Sequence, residues 1–199
     1  MNNINLNELR DRAYKTACEH GFHDKELSNE HLLCLIISEL MEAVEADRSN
    51  RHSNRKEYDE IIRDIPIGAS LYEYNKWFRT AFESHIKGSV EEEIADAAIR
   101  LLDLAGLREI SLELANGDIE DCIEDMAEAY KDETFTESIY SISTLPARYE
   151  GLYDFPTTVN DMVLSIFGFA KHLSIDLIWH IEKKMRYNEL RPMLNGKRY

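Results

Sequence analysis

Proline and glycine are scarce in this chain, at four and eight residues, and no stretch alternates apolar with polar side chains. So few turn-formers and no period-two pattern exclude a strand-rich sandwich or barrel, and helices are expected throughout. Cysteine is sparse too. Cys18, Cys34 and Cys122 lie far apart without a CxxC pair, which offers neither a zinc site nor a disulfide framework and suits reduced thiols. Apolar runs such as 162–170 are far too short to span a bilayer, and the opening MNNINLNELRDR lacks the apolar stretch of a signal peptide. A cytoplasmic location is therefore expected. Excess positive charge is missing as well. With 38 acidic against 23 basic residues, the net charge of −15 removes the basic surface needed to bind nucleic acid or an anionic membrane. A nucleotide substrate is not excluded, because a bound divalent cation inverts the local charge.

What the chain does have is enough apolar sequence, 44%, to bury a core over 199 residues. One all-α domain is expected over 1–199. Amphipathic patterns predict helices over 5–20, from a Ser28 cap to about 48, over 72–86, and from a Ser89/Glu92 capping box through 114 to a stop at Asn116-Gly117. Residues 49–54 read as loop. Shorter acidic helices are predicted at 118–131 and 134–143, then an aromatic-rich loop at 146–156 and one long helix over 158–188. The stretch at about 111–173 is acidic and reads as a helical insertion.

Two acidic pairs carry the functional signal: Glu39-x-x-Glu42 and Glu93-x-x-Asp96. Residues three apart share a helix face, so two such helices side by side can aim four carboxylates at one point. Hard oxygen donors of that kind suit magnesium or manganese. Spacing alone is weak, since a chain this acidic produces about seven such pairs by chance. Pairs such as Asp121/Glu124 and Asp125/Glu128 fall on an expected solvated face. The surroundings discriminate. Glu39 lies on an apolar face among Leu32, Leu35, Ile36 and Ala43, where a carboxylate needs a metal or a basic partner from another helix. The second pair sits on a helix apolar nearly all round. There Glu93, Asp96, Arg100 and Asp103 share one narrow stripe, as expected of an internal polar site. Glu91 and Glu92 read as favourable charge at a helix start. His23-Asp24 reads as loop.

The same residues resemble the paired-carboxylate signature of MazG-like all-α nucleoside triphosphate pyrophosphohydrolases. VEEEIADAAIRLLDLAG at 90–106 is similar to the family's second metal-binding helix. SIDLIWHIEKKMRYNELRPMLNGKRY at 174–199 resembles its C-terminal segment, where a Lys, an Asn and an Arg precede a Gly-Lys tail. Those positions here are Lys184, Asn188 and Arg191, with Lys197 in the tail. Offsets of four and seven place the first three on one helix stripe, and cationic side chains suit phosphate oxygens. The resemblance implies an all-α helical bundle and Mg²⁺ (Mn²⁺ as substitute) held by Glu39, Glu42, Glu93 and Asp96. It also implies hydrolysis of a nucleoside triphosphate to monophosphate and pyrophosphate by a metal-activated water. Lys184, Asn188, Arg191 and Lys197 would contact substrate, in a homodimer or homotetramer. The chain departs from the pattern in the fifty residues between Glu42 and Glu93, in the acidic insertion, and in Asn195 where a histidine is expected. The acidic balance also fits a rival of another class, a non-catalytic helical protein that binds partners or mimics nucleic acid.

Overall fold

The computed structural model describes residues 5–112 and 119–196. Among them there is no strand, and nine α-helices follow one another: α1 Leu6–Glu19, α2 Asn29–Arg48, α3 Arg55–Arg63, α4 Leu71–His85, α5 Val90–Leu107, α6 Ile119–Ala129, α7 Phe135–Tyr149, α8 Phe155–His172 and α9 Leu177–Glu189. No single helix among the described residues is long and apolar enough to cross a membrane.

Helix α5 is the hub. Its alanines and branched apolar residues, Ile94, Ala95, Ala97, Ala98, Leu101, Leu102 and Ala105, are buried all round the helix, and α1, α2, α8 and α9 pack against it. Small side chains let the neighbours come close. At Gly106 an added Cβ would lie 2.5 Å from Tyr14 Cβ on α1, and at Gly168 on α8 it would lie 2.6 Å from Met126 Cβ on α6. Helix α2 runs antiparallel to α5, because Arg108 bonds Asn29 and Leu27 while Arg100 bonds Glu39. Its face of Ile36, Leu40, Ala43 and Ala46 is buried against that hub. A separate aromatic cluster, Tyr58, Phe78, Phe82 and Tyr187, joins α3 and α4 to the outer side of α9.

Most start signals are where the sequence puts them. Ser28 caps α2 as expected, Asn5 and Ser70 cap α1 and α4 beside the expected starts, and Asp121, Glu124, Asp125 and Glu128 all lie exposed on α6. Four expectations fail. Helix α3 falls in a stretch given no element. Helix α5 ends at Leu107, well short of 114, because Glu109 takes a left-handed φ of 54° and the Ile110 amide turns back onto the Ala105 carbonyl; the expected stop at Asn116-Gly117 lies outside the described residues. The loop expected from Pro146 is helix through Tyr149. There Arg148 donates to the Ser141 carbonyl at 2.7 Å, beside the carbonyl left without a donor by the proline. The long helix over 158–188 is two, α8 and α9, meeting at 112°. Ser174 at φ 59° breaks the run, Ile175 N–H closes α8 on the Ala170 carbonyl, and Asp176 caps α9 through the Trp179 amide.

The α6–α8 contact gives a direct test. Gly168→Ala places a methyl against Met126 Cβ and its backbone. Such overpacking costs about 1–3 kcal/mol, more than the roughly 1 kcal/mol gained in helix propensity. Thermal unfolding should show a lower Tm; an unchanged or higher Tm would mean that α6 and α8 separate freely.

Candidate metal centre and adjoining cavity

The α5 start sets the site. Ser89 caps the helix by accepting from the Glu92 amide at 3.2 Å, but the expected capping box is only half present. The Glu92 carboxylate accepts from the Gly88 amide at 2.8 Å and, with its other oxygen, from Lys184 Nζ. Glu92 is 1% exposed and Lys184 5%. Lys184 also pairs with Asp96 at 3.0 Å. Burial alone would lower the lysine's pKa, yet Asp96 and Glu92 outweigh it and hold the group charged, above the ordinary lysine range.

One oxygen each from Glu39, Glu42 and Glu93 lies within 4.8 Å of the others, an arrangement able to hold a metal ion. Three of the four expected ligands thus converge from α2 and α5. Asp96, one turn beyond Glu93, is outside this group and bound to Lys184. Glu39 also accepts from Arg100 Nε at 2.7 Å, so a basic partner from another helix answers its apolar setting while the same carboxylate belongs to the group that could hold a metal. Burial, then the neighbouring Glu92 charge, pushes the Glu93 carboxyl up to about 9, with Asp96 and Glu42 adding to it and Lys184 opposing. Crowded carboxylates without a cation behave in this way.

Along the same α5 stripe, past Asp96 and Arg100, opens a cavity of ≈ 80 Å³ between α1, α2, α5 and α9. Ala13, Ala17, Leu35, Ile99 and Met185 make its apolar wall, and Asn188 and Arg191 come from the α9 side. Asp103 accepts from or shares a proton with His23 Nε2 at 2.7 Å, and burial raises the Asp103 carboxyl against that interaction. Of the expected substrate residues, Asn188 and Arg191 therefore reach this cavity and Lys184 is committed to Glu92 and Asp96. Lys197 lies outside the described residues. Phe78 and Tyr187 are core, and Trp77 is exposed.

Four participants escaped sequence reasoning as site residues. Arg100 and Asp103 belong to the polar stripe that was visible, so the stripe itself was their signal. Glu92 looks like any acidic residue in a first helical turn, and only α9 arriving beside it reveals the pair. His23 follows a helix end and precedes an aspartate, with nothing local to link it to Asp103, 80 residues away. Comparison with protein-family models, curated proteins and solved structures gives no match.

Two measurements probe this electrostatic frame. Lys184→Met leaves Glu92 buried and unpaired, which typically costs about 3–5 kcal/mol; chemical denaturation reads it directly, and a loss below about 1 kcal/mol would mean that water reaches Glu92. The Glu93 shift has the opposite sense from most carboxylates. A folded-state pKa raised to about 9 means that the native state holds a proton which the unfolded chain releases, so Glu93 costs stability as pH rises from about 4.5 towards 9. In metal-free buffer, the Tm advantage of Glu93→Gln over the unsubstituted protein should widen from pH 5 to pH 9. Adding Mg²⁺ or Mn²⁺ should close it by stabilising only the protein that retains the ligand. A margin independent of pH would place Glu93 in water.

Proposed function

We propose that this chain is a divalent-metal-dependent nucleoside triphosphate pyrophosphohydrolase of the MazG-like kind. The observation that carries the reading is the convergence of Glu39, Glu42 and Glu93 from two packed helices onto the same stripe as a cavity bounded by Asn188 and Arg191. The residues fit a hard cation: every donor is a carboxylate oxygen and no thiol or imidazole belongs to the group, while burial and the neighbouring Glu92 charge raise the Glu93 carboxyl, a cost that a bound cation would offset. That donor set favours Mg²⁺, with Mn²⁺ as substitute.

Glu39, Glu42 and Glu93 would hold the ion; when bound, it supplies positive charge to the phosphate oxygens and acidifies water. Arg100 holds Glu39 in its orientation by donating to its Oε1. Lys184 acts through Asp96 and Glu92, fixing their orientation from α9. Arg191 is placed to add a charge-assisted contact to the phosphates, and Asn188 lies beside it. Cleavage between the α and β phosphates follows from the resemblance in the acidic pairs and the C-terminal segment. The same resemblance implies a cytosolic homodimer or homotetramer that controls nucleotide pools.

Incubation with a panel of ribo- and deoxynucleoside triphosphates and Mg²⁺ should release pyrophosphate and monophosphate, and excess EDTA should stop it. Glu42→Gln and Glu93→Gln should abolish turnover while the fold holds or gains stability, because removing crowded like charges relieves repulsion. Arg191→Ala should lower kcat/KM about tenfold to hundredfold, the value of one charge-assisted contact of roughly 1.5–3 kcal/mol, with metal affinity in the absence of nucleotide unchanged. Absence of pyrophosphate with every nucleotide would sink the reading and favour a non-catalytic acidic interaction protein.

A further inference from the structure

Large apolar side chains are exposed unevenly over this protein. Of ten that stand in solvent among the described residues, five fall within one stretch of eleven: Ile67, Leu71, Tyr72, Tyr74 and Trp77. Ile67 is wholly exposed, Tyr72 79% and Trp77 48%. They occupy the turn between α3 and α4 and the first two turns of α4. Counting about 150–250 Å² for a whole aromatic side chain and somewhat less for an aliphatic one, the five leave on the order of 700 Å² uncovered. The largest apolar patch on a typical monomer is about 300–600 Å², and a stable pair of proteins covers roughly 800 Å² on each partner. The inner side of α4 is already in use, because Phe78 and Phe82 are buried and Asn75 accepts from Arg186 Nη2 at 2.7 Å. What faces outward is a surface held in place by core behind it.

We infer that a second copy of this chain docks on that surface, α4 against α4 in antiparallel sense about a two-fold axis. The pattern along the helix supplies the reason. Tyr72, Glu73, Lys76 and Trp77 are all exposed and span an arc of about 140° at 3.6 residues per turn. An axis through the middle of that run sets Tyr72 opposite Trp77 of the second copy and Glu73 opposite its Lys76, each pairing occurring twice. Aromatic thus meets aromatic, and carboxylate meets ammonium. Glu73 holds Ser70 through Oε2, which leaves its other oxygen for the second copy. Lys76 has no ion-pair partner among the described residues of its own chain. Ile67 and Leu71 extend the patch beyond the start of α4, in the direction of the exposed Thr80 and Ser84 of the second copy. A bilayer is a poorer occupant. Residues 55–85 carry five basic and six acidic side chains, without the basic excess that holds an apolar hairpin to anionic lipid. Docking here is independent of the carboxylate chemistry, and it gives a surface to the assembly that the resemblance only implies.

Sedimentation equilibrium of the full chain should give at least twice the 23.2 kDa of one copy at micromolar concentration. Lys76→Glu sets carboxylate against carboxylate in both pairs, and Tyr72→Ser strips both aromatic pairs. Each should raise the dissociation constant at least about tenfold, with helical circular dichroism and Tm kept because both side chains stand in solvent. Glu73→Lys should weaken association in the same way, with a modest fall in Tm from the lost bond to Ser70. Mixing equal amounts of the Lys76→Glu and Glu73→Lys proteins should restore association, since opposite charges then face each other in both pairs. That recovery is specific to Glu73 meeting Lys76 of the other copy. A monomer throughout the micromolar range overturns the docking. So does an assembly that Lys76→Glu and Tyr72→Ser leave intact, which would place the interface elsewhere. Weakening by the single variants without recovery in the mixture overturns the two-fold pairing. Co-sedimentation of a monomer with phosphatidylcholine–phosphatidylserine vesicles, lost in Tyr72→Ser, would assign the patch to a membrane instead.

Discussion

An apolar helix cannot carry charges into a protein interior unless each is answered, since an isolated buried charge costs far more than any one contact returns. Helix α5 carries Glu92, Glu93, Asp96, Arg100 and Asp103 along its length, and the placement of its neighbours reads as a series of replies. Lys184 comes from α9 to Glu92 and Asp96. Glu39 comes from α2 to Arg100, and His23 from the segment after α1 to Asp103. Glu93 is answered only in part, because the pull of Lys184 is outweighed by burial and by Glu92. The excess negative charge gathers where Glu39, Glu42 and Glu93 meet, in an arrangement able to hold a cation.

Helix α9 is held from two sides, and that double grip gives the site its rigidity. Its inner face, with Ile181, Lys184 and Met185, is buried in the main core. Its outer face presents Tyr187, stacked on Phe82 at 4.5 Å and donating to Glu83 at 2.8 Å. The α3–α4 pair, which fills the long spacer between the two acidic motifs, thus serves as a brace behind α9. Arg191 continues this arrangement, with its guanidinium 5.8 Å above the Tyr187 ring.

Legibility from sequence followed the range of the interaction involved. Caps at Ser28 and Ser89, the apolar circumference of α5 and the meeting of Glu39, Glu42 and Glu93 were readable because side chain and partner lie within one turn, or because helical spacing fixes a face. Failures arose where a distant contact or a single dihedral decided. Ser174 in a left-handed conformation has no strong local signal, since serine is not a residue that requires one, and the long apolar pattern hid the break between α8 and α9. Pro146 gave the reverse error, because a helix supported on α2 and α8 tolerates a proline that an isolated helix would not. Asp96 and Lys184 were assigned to separate tasks, metal and phosphate, and only their 3.0 Å approach shows that they answer each other.

The sharp turn between α8 and α9 also divides the labour of the chain in time. Ribosomal synthesis delivers α2 and α5, with all three clustered carboxylates, long before the lysine that neutralises Glu92 and Asp96. A nascent chain ending before the turn therefore exposes an acidic seam that attracts cations and resists tight closure. Only when the last helix folds back through 112° does the seam shut.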